Sequence, residues 1–332
     1  MKTVAIIGAG GWGTALAIAL ARNTETIRLW VYEKEVCDSL SHGRVNGLYL
    51  PGFHVPSNVH PTTDLGAALD GAEIVLIAVP SQHLRSLCET MLPMLSAGQI
   101  LVSATKGLET QGLRRMSQVI AETVSPRFPP RLAALSGPTF AREVAHGAPT
   151  AVVIASEDEA LARLLQHRFA HSTLRFYTNT DVIGVEMGGA VKNVIAIAAG
   201  ICEGLELGSN AVAALVTRGL AEITRLACAC GGQRETLYGL AGLGDLVLTC
   251  TGVSSRNRSA GVELGRGRSL EQILSSTPMV IEGVPTALAT VKLAQQKGVE
   301  MPITEQMYAV LYQNRAPRDA VRELMERSLK AE

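Results

Sequence analysis

Four glycines in six positions, Gly8-Ala9-Gly10-Gly11-Trp12-Gly13, separate the apolar run TVAII (3 to 7) from the helix-forming stretch TALAIALAR (14 to 22). An apolar run stopped by glycine and followed by helix formers reads as strand, tight turn and helix. In that context the GxGxxG spacing suits a pyrophosphate. The glycines permit the turn and a close backbone approach, and the helix N-terminal amides and dipole receive the charge. Gly8, Gly10, Gly11 and Gly13 are therefore candidate cofactor contacts, with a ligand-free glycine turn as the plain alternative. The first 21 residues also mimic a secretion signal, with Lys2, a mostly apolar stretch and Ala19-Leu20-Ala21 as a small-residue cleavage site. The same four glycines argue against it, because they would break a helical signal segment.

Further buried-strand signals follow at 27 to 32, 73 to 79 (EIVLIAV), 100 to 104 (ILVSA), 132 to 135 (LAAL) and 151 to 155 (AVVIA), with helical segments between several of them. Alternating strands and helices imply an α/β fold, a Rossmann-like doubly wound sheet that takes its ligands at the C-terminal ends of the strands. Those ends carry Gly8-Ala9-Gly10, Tyr32-Glu33, Pro80-Ser81, Thr105-Lys106-Gly107 and Ser136-Gly137-Pro138-Thr139, so one edge of the sheet collects functional groups. After Asp181 the strand signals stop, and helical periodicity takes over near 183 to 203, 209 to 230, 284 to 297 and 303 to 313. At 332 residues and 47% hydrophobic, the chain can bury two cores. The expected division is a dinucleotide-binding domain at 1–185 and an all-helical substrate-binding and catalytic domain at 186–332, with no flexible linker.

Thirty basic residues balance thirty acidic ones without long blocks of either sign, which gives no general pull toward nucleic acid or anionic lipid. No uncharged apolar stretch reaches the ~20 residues needed to span a bilayer, so stable membrane insertion is not expected. Cys37, Cys88, Cys202, Cys228, Cys230 and Cys250 show no CxxC spacing and sit in apolar surroundings, as reduced, buried thiols of a cytoplasmic protein do. His167 and His171 have metal-ligand spacing for a helix but no carboxylate between them. They read as a helix surface, and no metal is expected.

No histidine follows His171, and the surface charge is carried mostly by arginine, which cannot exchange protons near neutral pH. Lys192, in the apolar run MGGAVKNVIAIAAGI (187 to 201), is thus the leading acid/base candidate of the C-terminal half. Its plain alternative is snorkelling, with the stem buried and the charge in water. Gly188-Gly189 weakens that alternative by letting the helix approach another backbone or a cofactor. Lys106, in ATKGLE after the strand ILVSA, falls at the ligand-binding edge unless it is only a solvated loop lysine. Glu33 lies twenty residues after Gly13, where a carboxylate bonds a ribose 2′-hydroxyl and repels a 2′-phosphate. That leans toward NAD over NADP, with Lys34 pulling the other way. Asp245 follows a glycine-rich turn in AGLGDLVLTC, and SSRNRS gathers Ser254, Ser255, Arg256, Asn257 and Arg258. Hydroxyls, an amide and forked guanidinium donors suit a phosphate; a solvated polar loop is the alternative.

Taken together, GAGGWGTALA, ATKGLE, SGPTFARE, GGAVKNVIAIAAG, AGLGDLVLTC, SRNRSAG and MPITEQMYAVLY resemble the cytosolic, bacterial-type NAD(P)-dependent glycerol-3-phosphate dehydrogenases, over residues 4 to 313. The resemblance implies reversible reduction of dihydroxyacetone phosphate to sn-glycerol 3-phosphate, the backbone of membrane phospholipids, by a homodimer. It makes Lys192 the proton donor and acceptor and sets Lys106 against both substrate and cofactor. Gly137, Thr139, Asp245, Ser255, Arg256 and Asn257 fall on substrate-binding positions. Trp12, Ala141, Arg256, Val280 and Glu282 fall on cofactor-contacting ones. Two positions depart from the family's pattern. Gly11 replaces the usual serine, and Tyr32 of VYEKE stands where bacterial members often carry a basic or histidine side chain toward the cofactor.

In the expected mechanism Lys192 protonates the developing alkoxide and Lys106 holds the reacting oxygens. Asp245 orients Lys192 or a substrate hydroxyl, and Arg256 with Asn257 grips the phosphate. Two other readings stand beside it: a reductase of the same plan acting on a keto acid, and a non-catalytic NAD(H)-sensing protein. The crowded SSRNR loop favours phosphate, and a sensor has no need of Lys192.

Overall fold

The computed structural model describes residues 2–328. The strands among them are Thr3–Ile7 (β1), Thr26–Trp30 (β2), Val45–Asn46 (β3), Leu50–His54 (β4), Val59–Thr62 (β5), Ile74–Ile77 (β6), Ile100–Ser103 (β7), Arg131–Ser136 (β8), Thr150–Ala155 (β9) and Leu174–Asn179 (β10). Eight of them form one sheet in the order β10-β9-β8-β7-β6-β1-β2-β5, and β3 pairs with β4 in a small hairpin. All four residues of β6 and of β7 are buried. Such continuous apolar runs arise where helices cover both faces of a sheet. One face packs around Leu16, Leu20 and Phe169, and the other around Leu84, Met91 and Ile120.

Within the eight-stranded sheet neighbouring strands are parallel except at one place: β8 and β9 pair antiparallel, so β9 and β10 run against the other six. The strand expected at 151 to 155 is present, but its C-terminal end faces away from the ligand edge. β10 was not among the expected strands. It alternates buried Leu174 and Phe176 with exposed Arg175 and Tyr177, as an edge strand does. β5 lies at the opposite edge and contains Pro61, which an edge strand accommodates because its outer N–H needs no partner.

The helical half starts at Asp181. Its Oδ1 accepts from the Gly184 N–H at 2.8 Å and caps the helix Val182–Gly204, and its Oδ2 accepts from the Gln233 N–H at 2.8 Å. The division expected between 185 and 186 falls in the first turn of this helix. Helices Gly208–Ala229, Asp245–Thr251, Arg256–Gly265 and Gly283–Lys297 surround it. By length and composition the central helix could cross a membrane, with a mean hydropathy of 1.5. Yet 94% of its most apolar window is buried within the fold, which makes it a core helix.

Two local expectations are corrected. His167 lies on helix Glu159–Phe169, whereas His171 sits past its C-cap, bridged to Leu174, so the two do not share a helix. All six cysteines are free, but Cys228 is exposed and Cys230 half-buried; only the other four are buried. Among the described residues no group of three His, Cys, Asp or Glu side chains is placed to hold a metal ion.

Candidate active site

The glycine turn is built for close approach. Gly8 has φ +110°, and a Cβ on Gly13 would lie 1.8 Å from the Gly8 carbonyl oxygen. Gly10 caps helix Gly11–Leu20 without a side-chain bond, and nothing lies within 4 Å of where its Cβ would be. The space beside Gly10, at the head of a helix whose first amides have no partner within the helix, leaves room for an anion. The Trp12 indole N–H is buried without a partner, and Ala141 opens helix Ala141–His146 beside Gly11. Beyond β2, the Glu33 carboxylate accepts from the Tyr49 hydroxyl at 2.7 Å, while Tyr32 is 79% exposed. Burial first, and Glu33 second, push the Tyr49 hydroxyl up to about 12, so it stays a donor. A Cβ on Gly11 would lie 2.9 Å from the Tyr49 carbonyl oxygen, so in this chain the position favours glycine. Free amides, an unpartnered indole N–H and a fixed carboxylate fit a dinucleotide.

The other side of the site is a carboxylate between two ammonium groups. Lys106, on the turn after β7, donates from Nζ to the Gly137 carbonyl at 2.9 Å, to Thr139 Oγ1 at 3.3 Å and to Asp245 Oδ2 at 2.7 Å. Lys192 Nζ donates to Asp245 Oδ1 and, at 2.8 Å, to Thr249 Oγ1. Lys192 is 6% exposed and Asp245 1%, so the lysine does not snorkel. Burial drives the Lys192 ammonium down from its ordinary range to about 7. Asp245 opposes that shift, and the Lys106 charge adds to it. Gly189, one turn before Lys192, makes the approach possible: a Cβ there would meet Ser136 Oγ at 2.4 Å and the Lys106 stem at 3.8 Å.

Thr249 was not read from the sequence, although its i,i+4 spacing from Asp245 puts the two on one helix face. Asn193, also missed, accepts from Asn257 Nδ2 at 2.9 Å, and Asn257 Oδ1 accepts from the Gly283 N–H at 2.9 Å. Asn257 therefore has one amide hydrogen left for a ligand. Ser255 caps helix Arg256–Gly265 by accepting from the Arg258 N–H at 3.2 Å, and Arg258 pairs with Glu203. Arg256 stands exposed at the start of its helix with no hydrogen-bond partner among the described residues; crowding by the surrounding atoms lowers its guanidinium pKa, and the charge of Glu282 opposes that shift. Val280 is 38% exposed. Both oxygens of Glu282 are engaged by Ser81, from its N–H at 3.0 Å and its hydroxyl at 2.6 Å.

The glycine turn on the sheet side and the lysine pair around the buried Asp245 of the helical side have the arrangement of a dinucleotide-dependent oxidoreductase. Residues 3–162 match the family model for the NAD-dependent glycerol-3-phosphate dehydrogenase N-terminus, and residues 181–322 match that for its C-terminus. The chain belongs to the NAD-dependent glycerol-3-phosphate dehydrogenase family. It is 61% identical over 329 residues to a glycerol-3-phosphate dehydrogenase [NAD(P)+] of Koribacter versatilis, covering 98% of each chain. The solved glycerol-3-phosphate dehydrogenase of Coxiella burnetii superposes with a TM-score of 0.93 at 43% identity, over 98% of this chain and 99% of that one. A ketopantoate reductase of Ralstonia eutropha, over 97% of this chain and 100% of its own, reaches only 0.61 at 19% identity and shares the fold alone. The keto-acid and sensor readings are set aside on these matches.

Proposed function

We propose that this protein reversibly reduces dihydroxyacetone phosphate to sn-glycerol 3-phosphate with NADH or NADPH, in the cytoplasm, supplying the glycerol backbone of phospholipids. The observation that carries the reading is the buried Lys192 ammonium, held by Asp245 and Thr249 and driven toward neutrality by burial. When bound, the nicotinamide supplies a hydride to the ketone carbon.

Lys192 supplies the proton. Its pKa near the working pH lets it give a proton to the developing alkoxide and take it back in the reverse direction. Before transfer, its charge stabilises that oxygen in a site from which water is largely excluded. Asp245 fixes both lysines, while Gly137 and Thr139 hold Lys106. Arg256, exposed in the first turn of helix Arg256–Gly265, offers its guanidinium fork to the phosphate with the helix dipole behind it. The remaining N–H of Asn257 completes the grip. At the other end Glu33, held by Tyr49, favours a ribose 2′-hydroxyl over a 2′-phosphate and so favours NAD.

A charge-assisted hydrogen bond contributes about 1.5–3 kcal/mol, so Arg256→Ala lowers kcat/KM for dihydroxyacetone phosphate by roughly ten- to a hundredfold. Unphosphorylated dihydroxyacetone hardly distinguishes the variant from wild type. Steady-state kinetics with both ketones checks this, and an equal loss on both would place Arg256 away from the phosphate. We expect a homodimer joined through the helical half, where Leu207 is exposed and Val212, Leu215 and Val216 are half-buried on one helix. Sedimentation equilibrium decides it: a single species of monomer mass at working concentration refutes the dimer.

A further inference from the structure

Both oxygens of Glu282 are committed across the seam between the two halves. Oε1 accepts from the Ser81 N–H at 3.0 Å and Oε2 from the Ser81 hydroxyl at 2.6 Å. Glu282 immediately precedes helix Gly283–Lys297 of the helical half, whereas Ser81 follows β6 at the ligand edge of the sheet. The turn carrying Lys106 rests on this pair. Gly107 has φ +154°, and a Cβ on it would lie 2.6 Å from both Cβ and Oγ of Ser81 and 3.2 Å from Glu282 Oε2. Gln82 braces the same turn from behind, donating from Nε2 to Ser81 Oγ at 3.0 Å and to the Leu108 carbonyl at 2.8 Å. Thr105 ties the near side by donating to the Val79 carbonyl at 2.9 Å. Ser81 thus packs directly against Gly107, and Gly107 is bonded to the residue whose ammonium meets Asp245.

We propose that Glu282, by holding Ser81 across the seam, is a positioning residue that sets the Lys106 turn and thereby the spacing of the two active-site ammonium groups. The inference rests on the reading of Lys106 as part of the reaction, and it adds a determinant 176 positions away in the chain, since 282 less 106 is 176. The turn is placed to serve the second lysine too. The Gly283 N–H donates to Asn257, and Asn257 donates to Asn193, the neighbour of Lys192. The short segment Glu282-Gly283 thus reaches Ser81 beside the turn of the first lysine and, through Asn257, the Asn193 side chain beside the second. Displacements of about 1 Å remote from the chemistry can cost around a hundredfold in rate, so a modest loosening at Ser81 is expected to show in turnover.

The test uses Ser81→Ala, which removes the hydroxyl bond to Glu282 and keeps the backbone one, and Glu282→Gln, which keeps an acceptor for the Ser81 N–H. In the full-length enzyme Ser81→Ala is expected to lower kcat with dihydroxyacetone phosphate roughly tenfold. Its NADH dissociation constant, read by fluorescence, is expected to stay within about twofold of wild type, and Glu282→Gln to lose less than Ser81→Ala. In a Lys106→Met background the same Ser81→Ala change is expected to cost little more, because there is no ammonium left to position. An equal loss in both backgrounds overturns the proposal, as does a loss explained wholly by weaker NADH binding. Hydrogen exchange supplies a readout independent of turnover: Ser81→Ala is expected to speed exchange across residues 104 to 108, and unchanged exchange there also overturns it. A wild-type protein inactive on dihydroxyacetone phosphate would instead sink the proposed function, and exchange alone would then decide the placement.

Discussion

Replacing Lys192 with alanine is expected to lower turnover of dihydroxyacetone phosphate by roughly 10²–10⁴-fold, the usual contribution of a positioned acid or base. Dinucleotide affinity is expected to survive, since the glycine turn and its free helix amides lie on the sheet half, and circular dichroism should remain that of the folded protein. The pH dependence follows from the direction of the Lys192 shift. Burial lowers its pKa to about 7, so the ammonium that the proposed mechanism uses in reduction is present below neutrality and is lost as pH rises through it. The neutral amine needed for oxidation appears over the same interval. Reduction is therefore expected to slow and oxidation to quicken as pH rises through neutrality. Pre-steady-state rates in both directions test this; profiles that stay flat into the alkaline range would remove Lys192 from the proton transfer.

Asp245→Asn is expected to cost nearly as much, for a different reason. The Asp245 carboxylate accepts from two ammonium groups at once, one on each oxygen. An asparagine keeps one acceptor oxygen and turns an N–H₂ toward the other ammonium, so a donor faces a donor. It also removes the negative charge that supports protonated Lys192 against burial and against Lys106. Lys192 then loses its proton more readily, and the midpoint of the reductive profile is expected to move to lower pH, with turnover near neutrality falling by about a hundredfold or more. Removing one partner of a buried ion pair typically costs about 3–5 kcal/mol, and deprotonation of Lys192 relieves part of that. Thermal unfolding should come several degrees earlier. An unchanged midpoint with unchanged turnover would mean that Asp245 supports neither lysine.

The glycine turn, the buried strands and the functional edge were legible because each is a local pattern: a run of β-branched and aliphatic residues closed by glycine or a polar turn. Strand direction is not local. Nothing in AVVIA says that β9 reverses, and β10 and β5 escaped because an edge strand mixes polar residues or proline into its alternation. The candidate site shows the same limit. Lys106, Lys192 and Asp245 each stood out singly, but their convergence joins residues 139 and 53 positions apart and needs the fold. Glu282 was expected at the cofactor on resemblance, and its two bonds to Ser81, 201 positions away, left no trace in the sequence. Thr249 could have been found, because i,i+4 spacing from Asp245 on a helix is visible in DLVLTC.

The most direct test is the loss of reduced-nicotinamide absorbance when purified protein and NADH meet dihydroxyacetone phosphate, run beside unphosphorylated dihydroxyacetone and a 2-keto acid. The expected result is rapid oxidation with the phosphorylated ketone, little with the other two, and almost none with Lys192→Ala. Oxidation that favours the keto acid, or that continues undiminished without Lys192, would contradict a buried lysine acting as proton donor to a phosphorylated ketone.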